Sequence, residues 1–136
     1  LLMTITFDGI SIAGSGMQAY QTWLDAIADN IANINTITAT DEVPFQERVV
    51  EVQARNPEAG VAGVDVVDTA VAETDGRLVY DPSHPLANDD GFVVAPSMNL
   101  EELMTDIIIA QRSFQANSNV LNRARESYER ALEIGK

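Results

Sequence analysis

The only histidine of the chain, His84, has Asp81 and Ser83 beside it. Those are the residue types of a hydrolytic triad. A triad needs nucleophile, base and orienting acid to converge from rigid, separate elements within hydrogen-bond reach. Here all three fall within four residues, on a stretch broken by Pro82 and Pro85, so their side chains splay outward and the segment reads as a turn. Asn88-Asp89-Asp90-Gly91 offers the oxygens that a Ca²⁺ ion takes. An EF-hand loop spaces its acids at alternate positions and closes on a glutamate at its twelfth. In this stretch the acids are consecutive and the twelfth residue is Asn99, which favours a solvated turn. Gly14-Ser15-Gly16 lacks both the preceding strand and the following lysine of a phosphate loop. With no cysteine, a disulfide framework, a thiolate metal site and a cysteine nucleophile are excluded together. No convergent catalytic site, cofactor, metal or small-molecule substrate is expected.

The elements that carry these residues follow from composition and spacing. The chain has 136 residues, one domain's worth, and 46% of them are hydrophobic, which supports a core rather than disorder. A formal charge of -13 repels phosphate backbones and anionic headgroups, so nucleic acid and membrane surfaces are poor partners. The longest aliphatic run, Ile107-Ile108-Ile109-Ala110, is far short of the roughly 20 residues of a membrane span. The first residues carry neither a basic stretch nor a long apolar one, so a cleaved signal peptide is not expected. Charge is unevenly spread: residues 1–35 hold three acids and no base, residues 36–97 twelve acids and three bases, residues 98–136 six and five. All five prolines lie in the middle piece, leaving both ends free for long helices.

Both ends are periodic. Ile10, Ala13, Met17, Tyr20, Leu24, Ile27, Ile31 and Ile34 follow at alternating spacings of 3 and 4. So do Leu100, Leu103, Ile107, Ala110, Phe114, Asn117, Leu121, Ala124, Tyr128 and Ala131. A mean spacing of 3.5 keeps a stripe on one face only where helices wind around a partner. The spacing therefore predicts a mainly α protein whose long terminal helices form a coiled-coil domain, with a β-rich insertion of short strands and loops between them. Residues 1–36 and 98–136 make the coiled-coil part and residues 37–97 the middle. At 1.5 Å per residue the helices are about 35 and 50 Å long.

Asn99 followed by Glu102 suggests a capping box at the second helix, with Glu101, Glu102 and Asp106 near its positive end and Arg123, Arg125, Arg130 and Lys136 toward the other. For the first helix two readings stand: it begins after Gly16, or its small residues admit another backbone. In the middle, residues 45–54, 61–72, 77–80 and 91–95 read as strands, arranged as two hairpins. Asn117, the one polar member of its stripe, is either a surface residue on an imperfect stripe or a buried amide that sets register. Asn30, Asn33 and Asn35 form a second amide patch, in which Asn33 and Asn35 can end the helix in a left-handed conformation. Trp23, off the stripe, is either packing within the monomer or an aromatic awaiting a partner, with interface enrichment favouring the partner.

Two of these stretches carry a resemblance. Ile12-Ala13-Gly14-Ser15-Gly16-Met17 with residues 24–36, LDAIADNIANINT, is similar to the N-terminal signature of bacterial flagellar axial proteins, the rod, hook and hook-associated proteins. Glu101-Glu102-Leu103-Met104 with residues 110–117, AQRSFQAN, is similar to their C-terminal signature. Residues 78–87, LVYDPSHPLA, and Gly91-Phe92-Val93, in so short a chain, resemble one short member of that family, a subunit of the proximal rod. Phe114 stands where the family commonly has tyrosine.

The resemblance implies a structural subunit rather than an enzyme. Its terminal helices would pair into an elongated unit that orders on assembly, and the protein would sit in the basal body, spanning the periplasm. Its partners would be copies of itself, the other rod proteins, the MS-ring and export-gate side of the rod and, during secretion, the export apparatus. Secretion through the flagellar export channel would proceed without a cleaved signal peptide. The assembly interface would comprise Ala13, Met17, Tyr20, Leu24, Ile27, Ile31 and Asn33 with Leu103, Ile107, Ala110, Gln111, Phe114, Asn117 and Leu121. The apolar members supply burial, and Asn33, Gln111 and Asn117 supply register. The rival reading is a small acidic helical adaptor or export chaperone, which would be a well-folded dimer when free.

Overall fold

A computed structural model describes residues 2–55 and 62–134. Its frame is a pair of long helices, α1 (Leu2–Asn33) and α2 (Leu100–Ile134), each about 50 Å long at the usual rise. Leu103 packs in one cluster with Ile27, and Asn117 lies against Gly16, so the helices run antiparallel. The predicted stripes face each other: Ala13, Ile27, Leu103 and Ala110 are buried, and Tyr20, Leu24, Ile31, Ile34 and Ile107 pack around them.

α1 is longer than its spacing predicted because it begins at Leu2, well before the first stripe residue Ile10, and it runs unbroken through Gly14–Gly16. A Cβ on Gly16 would stand 3.2 Å from three atoms of the Asn117 carboxamide, so glycine is what lets that amide lie directly on the helix. The helix therefore does not begin after Gly16, and the close neighbour that Gly16 admits is a side chain rather than another backbone, while a Cβ on Gly14 would meet nothing within 4 Å. α1 ends through hydrogen bonds at Asn33, whose carbonyl accepts the Thr36 N–H at 2.9 Å and whose Nδ2 donates to the Asp29 carbonyl at 2.9 Å. Among the described residues only glycines have positive φ, so the left-handed ending expected of Asn33 or Asn35 is not used. α2 starts on Asn99, whose Oδ1 accepts the Glu101 N–H at 2.9 Å. That donor lies one residue earlier than a capping box predicts.

The middle folds as the two expected hairpins. β1 (Glu47–Ala54) pairs antiparallel with β2 (Val64–Ala72), and β3 (Arg77–Tyr80) with β4 (Phe92–Ala95). Of the expected second strand, Val61 lies outside the described residues, as does Lys136 at the end of α2. The register of β1–β2 slips by one between Glu51 and Val52, a bulge that bends the ribbon and sharpens its twist. Gly76, at φ +74°, joins the two hairpins; a Cβ there would meet the Ala95 carbonyl and Pro44 below 3.0 Å. Thr38 exchanges two backbone hydrogen bonds with Val94, which ties the exit of α1 to β4 and helps bury Val93, Val94 and Ala95.

Candidate assembly interface

The residues that first suggested chemistry form turns. The Ser83 hydroxyl donates to Asp81 Oδ1 at 2.7 Å, and His84 Nδ1 accepts the Leu86 N–H at 3.2 Å. Serine and histidine are therefore each bound to something other than the other. The Ser83 hydroxyl, with smaller help from backbone N–H groups and His84, holds the Asp81 carboxyl below its ordinary range. Asn88 Oδ1 accepts the N–H groups of Asp90 and Phe92, so the turn uses the oxygen that a cation would have taken.

The residues expected at the assembly interface fall into three groups. Ala13, Ile27, Leu103 and Ala110 are buried between the helices. Met17, Tyr20, Leu24, Ile31, Ile107, Phe114, Asn117 and Leu121 are half-buried along the same seam. Asn33 is half-buried at the helix end, while Gln111 is exposed. Asn117 is part-buried, and its Nδ2 donates to the Ser113 carbonyl of its own helix at 3.0 Å. Its amide lies against Gly16 and does not pair with a second amide.

α1 has a second covered face that the periodicity did not announce. Ser15, Ala19, Ala26 and Asn30 are buried at spacings close to those of the stripe, and β1–β2 lies across them. Asn30, 1% exposed, makes a two-point clamp: its Nδ2 donates to the Arg48 carbonyl at 3.0 Å and its Oδ1 accepts the Arg48 N–H at 2.8 Å. A fully buried carboxamide is costly unless both its ends are satisfied, and the edge of β1 satisfies both. Farther along, Ser15 Oγ donates to the Ile12 carbonyl and accepts the Val64 N–H at 3.1 Å. Gln46 repeats the amide clamp on Thr74 at the base of the ribbon, and Arg48 reaches Asp29 at 3.1 Å. Sequence reasoning grouped Asn30 with its neighbours as an amide patch and missed the clamp. The legible signal was the sparse charge of α1, three acids and no base, where a helix with most of its circumference solvated carries more.

Between α1, β1 and α2 lies a groove of ≈ 790 Å³, with Tyr20, Trp23 and Leu103 on its apolar walls and Glu47 and Asp106 among its lining residues. Trp23 is half-buried there, 6.2 Å from Tyr20 between ring centroids. Burial, then the charges of Glu102 and Asp106, raise the Glu47 carboxyl above its ordinary value. Outside the groove, Met104, Ile108, Ile109 and Val120 are exposed on α2 and Val67 and Val71 on the ribbon, while Val49 and Val52 are exposed along the groove itself. Tyr80 and Phe92 pack edge to face with centroids 5.2 Å apart on β3–β4, with Leu78 exposed beside them. So much apolar surface on both hairpins and one helix suits a chain that is covered by neighbours.

Comparison with known proteins gives the same direction. The family model for "Flagella basal body rod protein" matches residues 10–38, and that for "Flagellar basal body rod FlgEFG protein C-terminal" matches residues 91–134. The chain is 34% identical over 126 residues to the flagellar basal-body rod protein FlgC of Escherichia coli O6:H1, covering 92% of this chain and 94% of that one. It is 29% identical over 147 residues to FlgC of Bacillus subtilis, covering 96% and 98%. With FlgC of Aquifex aeolicus the identity is 31% over 131 residues. The matched ends are α1 and α2, and the matched length includes both hairpins, so the chain belongs to the FlgC family of flagellar basal-body rod proteins, structural subunits of the rod.

Proposed function

We propose that this chain builds the proximal part of the rod, with α1 and α2 as a coiled-coil assembly unit and residues 37–97 as a separate outer part. Neighbouring subunits cover what each leaves exposed. The observation that carries this reading is the mismatch between the two helices: the stripes satisfy each other, yet apolar residues remain exposed on α2 and on both ribbons. A subunit that repeats by head-to-tail contacts that do not close builds a helical tube, and a tube of packed helices transmits torque toward the distal rod and hook. The seam residues, from Ala13 to Asn33 and from Leu103 to Leu121, act as the assembly interface by fixing the shape that neighbours meet.

Copies of this chain, other rod proteins and the MS-ring and export-gate side of the basal body are its partners. In this reading the chain crosses to the periplasm through the flagellar export apparatus without a cleaved signal peptide. Among the described residues no helix is long and apolar enough to cross a membrane, which fits a wall made by subunits rather than by lipid contact. Replacing Leu24 or Phe114 with aspartate in a cell that depends on this chain should abolish rod incorporation and swimming while the variant is still exported. Normal swimming by either variant overturns the role assigned to the seam.

A further inference from the structure

The groove carries carboxylates among its lining residues, and the outward face of α2 carries a cation. The groove has an apolar floor of Tyr20, Trp23 and Leu103 and an acidic mouth where Glu47 and Asp106 meet, with Glu102 one helical turn before Asp106. The three carboxylates come from two elements, and burial, then the charges of Glu102 and Asp106, raise the Glu47 carboxyl above its ordinary value. Among the described residues the ion pairs are Arg48–Asp29, Arg55–Asp65, Arg125–Glu129 and Arg130–Glu126. Arg48 also lines the groove but is committed to Asp29, and among the described residues no other cation lines it. On α2, Met104, Ile108 and Ile109 are each about half exposed, and Arg112 follows one turn after Ile108 and Ile109, exposed and outside those ion pairs. That face is an apolar strip ending in a cation.

We propose that the groove of one copy receives the Met104–Ile108–Arg112 face of α2 from a second copy, with Arg112 seated among Glu47, Glu102 and Asp106. A molecule cannot fill its own groove this way. At about 100° per residue Ile108 lies about 140° round α2 from Leu103, and about 160° from the groove-lining Asp106. The contact therefore joins two different surfaces, and each copy still offers one of each, which propagates a chain of subunits rather than closing a dimer. A groove of ≈ 790 Å³ has room for a few large side chains, which matches a strip of three. The carboxylate mouth supplies direction, because a guanidinium desolvated against several acids binds strongly and admits one register. The net charge of -13 opposes the approach of two copies, so the contact stands on this local pairing and on the other contacts of the assembly. The inference rests on the rod-subunit reading and names one of its contacts.

The absence of cysteine gives a clean test. Two differently tagged chains, Ile108→Cys and Val50→Cys, are co-expressed in a flagellated cell from which this chain has been deleted, and a short bis-maleimide is applied to isolated basal bodies. The same mixture, purified and concentrated, is treated in parallel, so that a variant unable to build a rod is still read. The expected product carries both tags. Adding Arg112→Glu to the Ile108→Cys chain should lower its yield at least about tenfold, and Glu47→Arg with Asp106→Arg in the partner should recover it. Absence of the two-tag product from both preparations overturns the docking, as does a product of Ile108→Cys with itself alone, or one joining Val50→Cys only to a different rod protein. Failure of the unaltered chain to support swimming overturns the rod reading instead, whatever the cross-links show.

Discussion

α1 and α2 are nearly equal in length, at 32 and 35 residues, yet they are covered in different ways. α1 is sandwiched, with α2 on one side and β1–β2 on another, and its buried residues include the polar Ser15 and Asn30. α2 is covered along one seam, where only Leu103 and Ala110 are fully buried. The sequence carries this difference as charge: residues 1–35 have no lysine or arginine, while residues 98–136 mix six acids with five bases. A helix flanked on two sides has little solvated face on which to place charges, and a helix flanked on one side has most of its circumference free. α1 is thus the more enclosed of the two helices, and α2 leaves most of its circumference exposed.

The strongest way to break that contrast is to cut into the shared seam. Leu103→Ala should cost about 3 kcal/mol, since a buried leucine leaves a cavity that neighbours fill only in part. Ile108→Ala, one turn and a half away on the exposed face, should cost less than about 0.5 kcal/mol in the free chain. Urea unfolding of the two purified variants compares them directly, and equal losses would mean that α2 is covered on both sides. Next in size is Asn30→Ala. It strands the Arg48 N–H and carbonyl and should cost about 2 kcal/mol, with amide exchange accelerating in β1 before it does so in β3–β4. If β1 stays protected, α1 holds the ribbon by other means.

A smaller effect is expected at the helix crossing. Gly16→Val drives a branched side chain into the Asn117 carboxamide and should cost about 1–2 kcal/mol by overpacking. Asn117→Ala in the same chain should return part of it, a coupling that thermal unfolding of the single and double variants measures. The smallest concerns Glu47. Because its folded pKa lies above its ordinary value of 4.5, the folded state gains most from it when it is protonated. That contribution is complete below the unfolded pKa and is lost as pH rises through the folded one. Glu47→Gln should therefore be slightly more stable than the native chain at neutral pH and should lose less stability on going from acid to neutrality. A pH series of unfolding midpoints decides it, and parallel curves would remove Glu47 from the crowded mouth.

The parts of this fold that were legible beforehand are those written as local periodicity. Ile27, Leu103 and Ala110 stood in alternating 3–4 stripes, and a stripe states which face of a helix is buried without reference to anything else. The strands of the middle showed equally in their β-branched runs, and the turns at residues 81–85 and 88–91 in their proline, asparagine and glycine. Asn30 and Ser15 could not be read in this way. Each lies beside the stripe on a polar-looking helix position, and its burial depends on Arg48 and Val64, residues brought to it only when the ribbon folds back. Trp23 was left between two readings for the same reason: it lines a groove whose far wall belongs to another element.

By itself the sequence determined that two proline-free ends form long helices with opposed apolar seams, because helix formation and side-chain spacing are properties of neighbours along the chain. It determined as well that glycine stands at position 16, though not what the glycine is for. Only the tertiary structure decided that the helices pair antiparallel with Asn117 on Gly16, and that a carboxamide and a hydroxyl pin the ribbon to α1. It also decided that Glu47 and Asp106 line one groove, with Glu102 near enough to act on Glu47. Those are distances between residues far apart in the chain, set by how the elements close on one another, and no local pattern encodes them.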